Sequence, residues 1–176
     1  MERRQSHLLY SRFTVAGDDA AFKSPMARQL LAYWREKAGD RRRPAWTDLN
    51  LMDIYGIAPN IMVRDPVDGG RDFSCRFCGT ALVAVLGMDP TGRPLDECYA
   101  PEGRDMMLAR YHLVLSADAP VRVVGYVRVV EKNLPTGFEC VMLPVSGADG
   151  GIGHVMMVLD FSYDPEAEDV PKPDLS

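Results

Sequence analysis

Residues 72–97 read DFSCRFCGTALVAVLGMDPTGRPLDE, and this stretch carries the chain from a short β-rich run into a group of helices. Its first part (72–78) is a short β-rich run, as is NIMVRDPV (60–67). The Asp-Gly-Gly between them (68–70) is typical of a hairpin turn. The next part, GTALVAVLG (79–87), predicts a helix that its final glycine ends. The stretch therefore places a two-stranded antiparallel hairpin directly before a helical insertion.

After this stretch the helices continue and then give way to strands. A turn (89–94) is followed by a helical turn near Leu95, and a longer helix begins at Pro101 and ends near Ala117. Three β-rich runs joined by turn residues follow, and they predict an antiparallel meander. These runs are VRVVGYVRVVE (121–131), GFECVMLPVS (137–146) and IGHVMMVLDF (152–161).

Before the hairpin, the sequence predicts an amphipathic helix over residues 25–38. Ser24 can cap the free amides of a helix start, and the fixed φ of Pro25 suits the first helical position. The helix carries one apolar stripe that needs a surface to cover. Leu30, Tyr33 and Trp34 are the large members of that stripe.

The order of elements predicts the fold class. It is α+β, because no strand-helix-strand alternation recurs: a five-stranded antiparallel sheet with a helical insertion, preceded by the amphipathic helix. We expect residues 1–23 to be loosely ordered, residues 24–161 to form a single domain, and the acidic residues 162–176 to be disordered.

Composition narrows the functional classes. The 176 residues carry 20 Lys and Arg against 25 Asp and Glu, a net charge of −5, so nucleic acid is not an expected partner. No apolar run is long enough to span a bilayer and no signal-peptide core is present, so we expect neither membrane insertion nor export. Four cysteines without a regular framework favour a reducing cytoplasm.

The C-x-x-C pair Cys75 and Cys78 raises the alternative of a small thiol oxidoreductase. Alternation along a strand points residues three apart to opposite faces, so we expect the two sulfurs not to meet and both side chains to act as apolar filler. Cys78 directly precedes a helix start, which keeps the redox alternative open. Cys98, Cys140 and the histidines lack metal-ligand spacing, so no metal, cofactor or catalytic residue is expected.

One face of the strand at 121–131 is mixed in character, because Arg122, Val124 and Tyr126 share it. The helix that carries Trp34 is the expected cover, supplied by the same chain or by a partner. If a partner supplies it, a homodimer forms through this surface. The candidate interface residues are Leu30, Tyr33, Trp34 and Tyr126.

The sequence resembles a bacterial PAS family, PAS_5 (formerly DUF1457), over residues 25–161. The resemblance rests above all on Gly79-Thr80-Ala81 and on the motif Gly87-x-Asp89-x-Thr91-Gly92-Arg93-x-Leu95-Asp96-Glu97. Further matching positions are Tyr33-Trp34, Phe73, Arg76, Tyr111 and Leu143-Pro144.

The resemblance implies an apolar cavity between the insertion helices and the sheet. The candidate lining residues are Cys75, Phe77, Leu82, Val83, Leu86, Leu95, Tyr111, Val123 and Val127. Arg76, Thr91 and Arg93 would either contact a ligand or hold the insertion to the sheet.

The function implied is that of a stand-alone sensory or regulatory module, not an enzyme. It would act through contact with another signalling protein, for which a kinase is one candidate. A small ligand in the apolar cavity is a candidate gate for that contact.

Overall fold

The computed structural model describes residues 8–129, 134–168 and 170–174. It confirms an α+β architecture, with six strands rather than the five expected. In chain order the elements are β1 (Leu8–Val15), α1 (Pro25–Ala38), β2 (Ile61–Val67), β3 (Asp72–Cys78), α2 (Thr80–Leu86), α3 (Leu95–Cys98), α4 (Pro101–Ala117), β4 (Val121–Arg128), β5 (Pro135–Ser146) and β6 (Ile152–Asp160). No helix among the described residues has both the length and the apolar character needed to cross a bilayer.

The six strands form one antiparallel sheet in the order β1-β4-β5-β6-β2-β3. The early hairpin β2-β3 joins the late meander because β2 pairs with β6, with Ile61 opposite Val158 and Arg64 opposite Val155. This junction is the one that the predicted fold requires, and it makes the two halves of the chain a single sheet.

The sixth strand corrects the expectation for the start of the chain. Residues 8–15, within the segment expected to be loosely ordered, pair with β4 from Leu8 opposite Val127 to Val15 opposite Val121. The run LLYSRFTV is rich in β-branched and aromatic residues, which explains why it can extend the sheet. β1 is therefore an edge strand of the same domain.

Each face of the sheet is covered by helices. The inner face carries Val121, Val123 and Cys140, and α2, α3 and α4 pack on it around Leu82, Leu95 and Tyr111. We call the side chains that pack together on this face the inner core. The outer face carries Val141, Leu143, Met156 and Val158, and α1 packs on it through Leu30, Leu31 and Trp34.

The helix α1 follows its predicted bounds. The Ser24 hydroxyl accepts a hydrogen bond from the Ala27 amide at 3.1 Å, Pro25 is the first helical residue, and Gly39 ends the helix at φ 58°. Trp34 is 1% exposed and donates its indole N–H to the Pro144 carbonyl at 2.8 Å. The cover for this part of the outer face thus comes from the same chain.

The described part of the acidic tail, residues 162–168 and 170–174, also differs from the expectation of disorder. It lies on the outer face of β4, where Val170 is 1% exposed and the Tyr126 hydroxyl donates to the Val170 carbonyl at 3.2 Å. Arg122 donates to both carboxylate oxygens of Glu168, at 2.7 and 2.6 Å. The tail is held because its acid neutralises an arginine of the mixed face.

The same arginine also pairs with a buried acid. Glu139 on β5 is 0% exposed, and Arg122 Nε lies 2.5 Å from Glu139 Oε1. The Glu139 carboxylate further accepts the backbone amides of Lys23, at 3.0 and 3.1 Å, and of Ser24. Charges on the outer face are therefore balanced by acids and amides of the same chain.

The tail contact predicts a pH dependence of stability. The hydrogen bonds from Arg122 lower the pKa of Glu168 to about 2, from its ordinary 4.5, against the opposing effect of partial burial. A depressed carboxylate pKa gives stability that is present above pH 4.5 and is lost as the pH falls towards 2. We expect Glu168→Gln to lower the free energy of unfolding by about 1 kcal/mol near neutral pH, and by less as the pH falls.

Urea unfolding at neutral pH and at acidic pH measures this difference. Glu166→Gln is the matched control, because Glu166 is an exposed acid on the same turn, and it should leave stability unchanged at both pH values. A loss for Glu168→Gln that stays constant across the acidic range would contradict the charge pairing.

Candidate functional site

A cavity of about 50 Å³ lies between the inner face of the sheet and the helices α2 and α4. Its walls are apolar except for a single guanidinium, that of Arg110 on α4. Methionines from three elements, Met62, Met107 and Met157, form part of the wall. The remaining lining residues are Leu82, Val85, Leu86, Tyr99, Val127, Phe138, Cys140, Leu159 and Phe161.

The cavity meets solvent on one side. Val85 and Leu86 on α2, with Leu159 and Phe161 at the end of β6, are the lining residues that keep partial solvent exposure. The other lining residues are buried. We call these four residues the cavity mouth.

The predicted lining residues divide into three groups. Leu82, Leu86 and Val127 line the cavity. Cys75, Leu95, Tyr111 and Val123 belong to the inner core around it without lining it. Phe77 and Val83 do not line this cavity: Phe77 packs with the outer-face core, and Val83 is half-buried on α2.

Phe77 leaves the inner face because β3 contains a bulge. In the β2-β3 pairing, Val63 lies opposite Phe77 and the next residue, Arg64, lies opposite Cys75. Arg76 is therefore an extra residue on β3 and has no partner across the pair, as in a β-bulge. The extra residue shifts the alternation, so that Cys75 points inward and Phe77 outward.

The bulge also overturns the expectation that Cys75 and Cys78 point to opposite faces. Cys75 lies in the inner core, and Cys78, opposite Met62, packs against the same core. The Cys75 thiol donates to the Phe77 carbonyl at 3.4 Å and the Cys78 thiol to the Gly79 carbonyl at 3.8 Å, and each thiol affects the pKa of the other. Regular alternation would have separated them, and one inserted residue brings them together.

The two thiols have pKa values shifted in opposite directions. The interaction with Cys78 lowers the pKa of the Cys75 thiol, burial opposes that effect, and the nearby Arg64 guanidinium supports it. The pKa of Cys78 is raised, first by the interaction with Cys75 and then by burial. Cys75 is only 2% exposed, so its sulfur is screened from solvent.

Two of the three polar candidates, Arg76 and Thr91, have side-chain partners within the sheet or their own turn. Arg76 is exposed, pairs with Asp65 on β2 at 2.6 Å, and lies over the Trp46 ring, 5.5 Å from its centroid. The Thr91 hydroxyl donates to Asp89 at 2.6 Å within its own turn. None of the three lines the cavity.

The turn at 89–93 holds the insertion to the sheet through its backbone. The Cys75 amide donates to the Arg93 carbonyl at 3.0 Å, and the Gly92 amide donates to the Cys75 carbonyl at 2.7 Å. Gly92 adopts a positive φ of 77°, which a glycine tolerates without strain. The attachment that the sequence assigned to side chains is thus made by main-chain hydrogen bonds at this turn.

Two buried arginines were missed from the sequence. Arg64 on β2 is 0% exposed and Arg110 on α4 is 5% exposed, and both belong to the inner side of the sheet. The sequence pattern could have indicated both positions. Arg64 stands two residues from the inward Met62 on the same strand, so it faces the same way. Arg110 stands three residues after Met107, on the helix face that Tyr111 shares. An arginine on a face that is otherwise apolar marks such a position.

The four interface candidates are buried within the chain. Leu30 is 0%, Trp34 1%, Tyr126 3% and Tyr33 8% exposed. Helix α1 and the described tail supply the cover that was expected from the same chain or a partner. These four side chains are therefore not exposed for contact with a second copy. Among the described residues, no three side chains of His, Cys, Asp or Glu come together as a metal site.

The chain has the fold of PAS and light-oxygen-voltage domains. The structure of an RNA-binding light-oxygen-voltage receptor matches with a TM-score of 0.52 at 13% identity, over 91% of this chain and 41% of that one. A light-oxygen-voltage domain studied with a flavin analogue matches with a TM-score of 0.50 at 13% identity, over 68% of this chain and 88% of that one.

The family follows from the sequence match. The PAS_5 model, described as a PAS domain, matches residues 22–159, and the chain belongs to this family. The match confirms the resemblance stated from the motifs. No curated protein matches the chain.

The burial of the thiols predicts their reactivity. Cys75, Cys98 and Cys140 are buried and Cys78 is half-buried, so a thiol reagent should modify the native protein slowly and Cys78 first. Four thiols should react at once in urea. Titration with a chromogenic disulfide measures both states, and Cys78→Ser should remove the first native phase. Rapid native reaction of two thiols, with turnover in an insulin reduction assay, would support the oxidoreductase instead.

Proposed function

We propose that this protein is a non-enzymatic sensory module that binds a small molecule in the cavity and signals by contact with another protein. The observation that carries the proposal is the cavity itself: a space at the centre of the inner core, with apolar walls, one charged group and a mouth to solvent. Ligand sites in proteins have this composition, apolar walls with a small number of placed polar groups.

The size of the cavity limits what it can hold without rearrangement. A volume of about 50 Å³ is well below the several hundred Å³ of a site for a drug-sized molecule. The residues present therefore do not fit a flavin in this conformation. Methionine side chains adapt their shape readily, and three of them form the wall, so a small ligand can enlarge the space by moving them.

A route for the signal runs through β4. Val127 faces the cavity, and its neighbour Tyr126 faces the opposite side, where it holds Val170 of the tail. A ligand that displaces Val127 acts on the same strand that anchors the tail and pairs with β1. The proposal is that a bound ligand changes the surface formed by these two segments.

The proposed partner is a signalling protein, for which a kinase remains one candidate. The matching receptor binds RNA, whereas this chain has a net charge of −5 and so lacks the excess of cations that phosphate binding favours. Exposed apolar side chains that a protein partner could cover include Met52, 72% exposed, and Tyr55, 74% exposed.

The thiol oxidoreductase is the second candidate function, and one observation favours it: Cys75 and Cys78 lie on the same side of the sheet, and the pKa of Cys75 is lowered by its neighbour. Catalytic thiols must also be reached by a substrate, and the thiol with the lowered pKa is the one that is 2% exposed. The sensory function therefore fits the geometry better. Four free thiols also fit a reducing compartment, and we propose the cytoplasm.

A cavity-filling substitution tests ligand binding. Val127→Phe places a ring in the cavity, so it should weaken binding of any small molecule retained by the wild type by tenfold or more, because the space is occupied. Native mass spectrometry of freshly purified protein detects the retained mass, and circular dichroism checks the fold.

Val15→Phe is the matched control, because Val15 is 42% exposed on β1 and lies outside the cavity lining. It should keep the ligand. Two results together would reject the ligand-binding function. They are a mass of the wild type equal to that of the bare chain, and no thermal stabilisation by any compound of a small-molecule panel.

A further inference from the structure

Arg110 is a buried cation aimed into the cavity. It lines the cavity, is 5% exposed, and one of its terminal nitrogens donates to the Met107 sulfur, a weak acceptor. Its Nε is buried and has no hydrogen-bond partner among the described residues. The guanidinium therefore has hydrogen-bonding capacity that the chain leaves unused.

A second buried cation lies in the same core. Arg64 is 0% exposed, and its Nη1 donates to the carbonyls of Phe73 at 3.1 Å and Arg93 at 3.4 Å. Its Nε and Nη2 are buried without partners in the described part of the chain. Both arginines lie within electrostatic reach of the Tyr99 and Tyr111 hydroxyls.

Neither guanidinium has an acid to balance it. The ion pairs found among residues 8–129, 134–168 and 170–174 include neither Arg64 nor Arg110. The outer face shows the usual arrangement, in which Arg122 has Glu139 and Glu168. Buried charges in proteins are as a rule paired, because an unpaired buried charge is strongly destabilising.

We infer that the cavity binds a carboxylate on an apolar body, with the carboxylate against Arg110 and the apolar chain along the methionine wall. This inference rests on the proposed function and names its ligand class. The anion supplies the missing partner for the buried cation, since a planar carboxylate matches the fork of a guanidinium.

The lining favours a carboxylate over a phosphate monoester. Arg110 is the only charged side chain among the lining residues, all of which the structure describes, so one negative charge balances the site. A dianion would keep a second charge in apolar surroundings. Arg64 lies in the core near Tyr99 and Tyr111, outside the lining, and adds a positive potential that again favours an anion over a neutral or cationic ligand.

The apolar body can extend from Arg110 towards solvent. Met107 lies beside the guanidinium, and Val85, Leu86, Leu159 and Phe161 form the mouth. A cavity of about 50 Å³ holds only the first carbons of a chain, so the rest would displace methionine side chains or protrude at the mouth. A straight, flexible chain suits this path better than a rigid ring system.

A head-group series tests the ligand class on the intact protein. Octanoate, octan-1-ol and octylamine share one chain and differ in charge, and calorimetric titration gives their dissociation constants. Octanoate should bind at least about tenfold more tightly than the alcohol, because a hydrogen-bonded charge adds that much, and the amine should bind more weakly than both.

Arg110→Met keeps an unbranched, flexible side chain at this position and removes its charge. It should abolish the preference for octanoate over octan-1-ol while leaving binding of the alcohol within about threefold. It should also raise the melting temperature of the ligand-free protein, because an unpaired buried charge is removed. Arg12→Met, at an exposed arginine on β1, is the matched control and should change none of these values.

The outcomes separate this inference from the proposed function. Binding of octan-1-ol as tight as that of octanoate would overturn the carboxylate class and leave a ligand-binding sensory module intact. A preference for octanoate that persists in Arg110→Met would also overturn it, since another group would then recognise the anion. Absence of binding by all three probes would overturn this inference, and only a bare-chain mass of the wild type together with no stabilisation by the compound panel would reject the ligand-binding function as well.

Discussion

The pairing of β2 with β6 is the contact on which the rest of the structure depends. The hairpin β2-β3 and the meander β4-β5-β6 are separated in sequence by three helices, and the two-stranded hairpin alone has too few strands to be stable. When Ile61 lies opposite Val158, α2 and α4 are brought onto the inner face of one continuous sheet. The cavity exists because helices from the middle of the chain are anchored at both ends to that sheet.

Local sequence signals predicted the helices and strands better than the pairing register within the sheet. Ser24, Pro25 and Gly39 mark the bounds of α1 because capping and φ preferences act within a few residues. The bulge at Arg76 is different, because SCRFC reads as a regular strand and the extra residue is defined only by pairing with β2. One inserted residue then decided the outcome for Phe77 and for the cysteine pair.

The sequence did not predict β1 or the attachment of the tail, and both failures have the same cause. LLYSRFTV is a short run near the start, and Val170 is one apolar residue in an acidic segment, so neither carries a strong periodic pattern. Both are placed by tertiary contacts with β4: β1 by backbone pairing, and the tail by Arg122 and Tyr126. Sequence reasoning found the mixed face that needed a cover but assigned the cover of Tyr126 to the wrong segment.

The arginines on the two sides of the sheet differ in whether their charge is paired with an acid. On the outer face, Arg122 is surrounded by Glu139, Glu168 and the Tyr163 ring, so its charge strengthens the domain. On the inner face, Arg64 and Arg110 meet carbonyls, a thioether and apolar walls. Apolar residues of similar volume at the two inner positions would be expected to make the domain more stable.

The strand β4 connects β1, the cavity and the tail. Its backbone is hydrogen-bonded to β1 on one side and β5 on the other, its inner side chains close the cavity, and its outer side chains hold the tail. Two segments far apart in the chain are therefore fastened to a single strand. Protection of the β4 amides from hydrogen exchange accordingly depends on the attachment of both segments, and loosening either one exposes the back of the cavity wall.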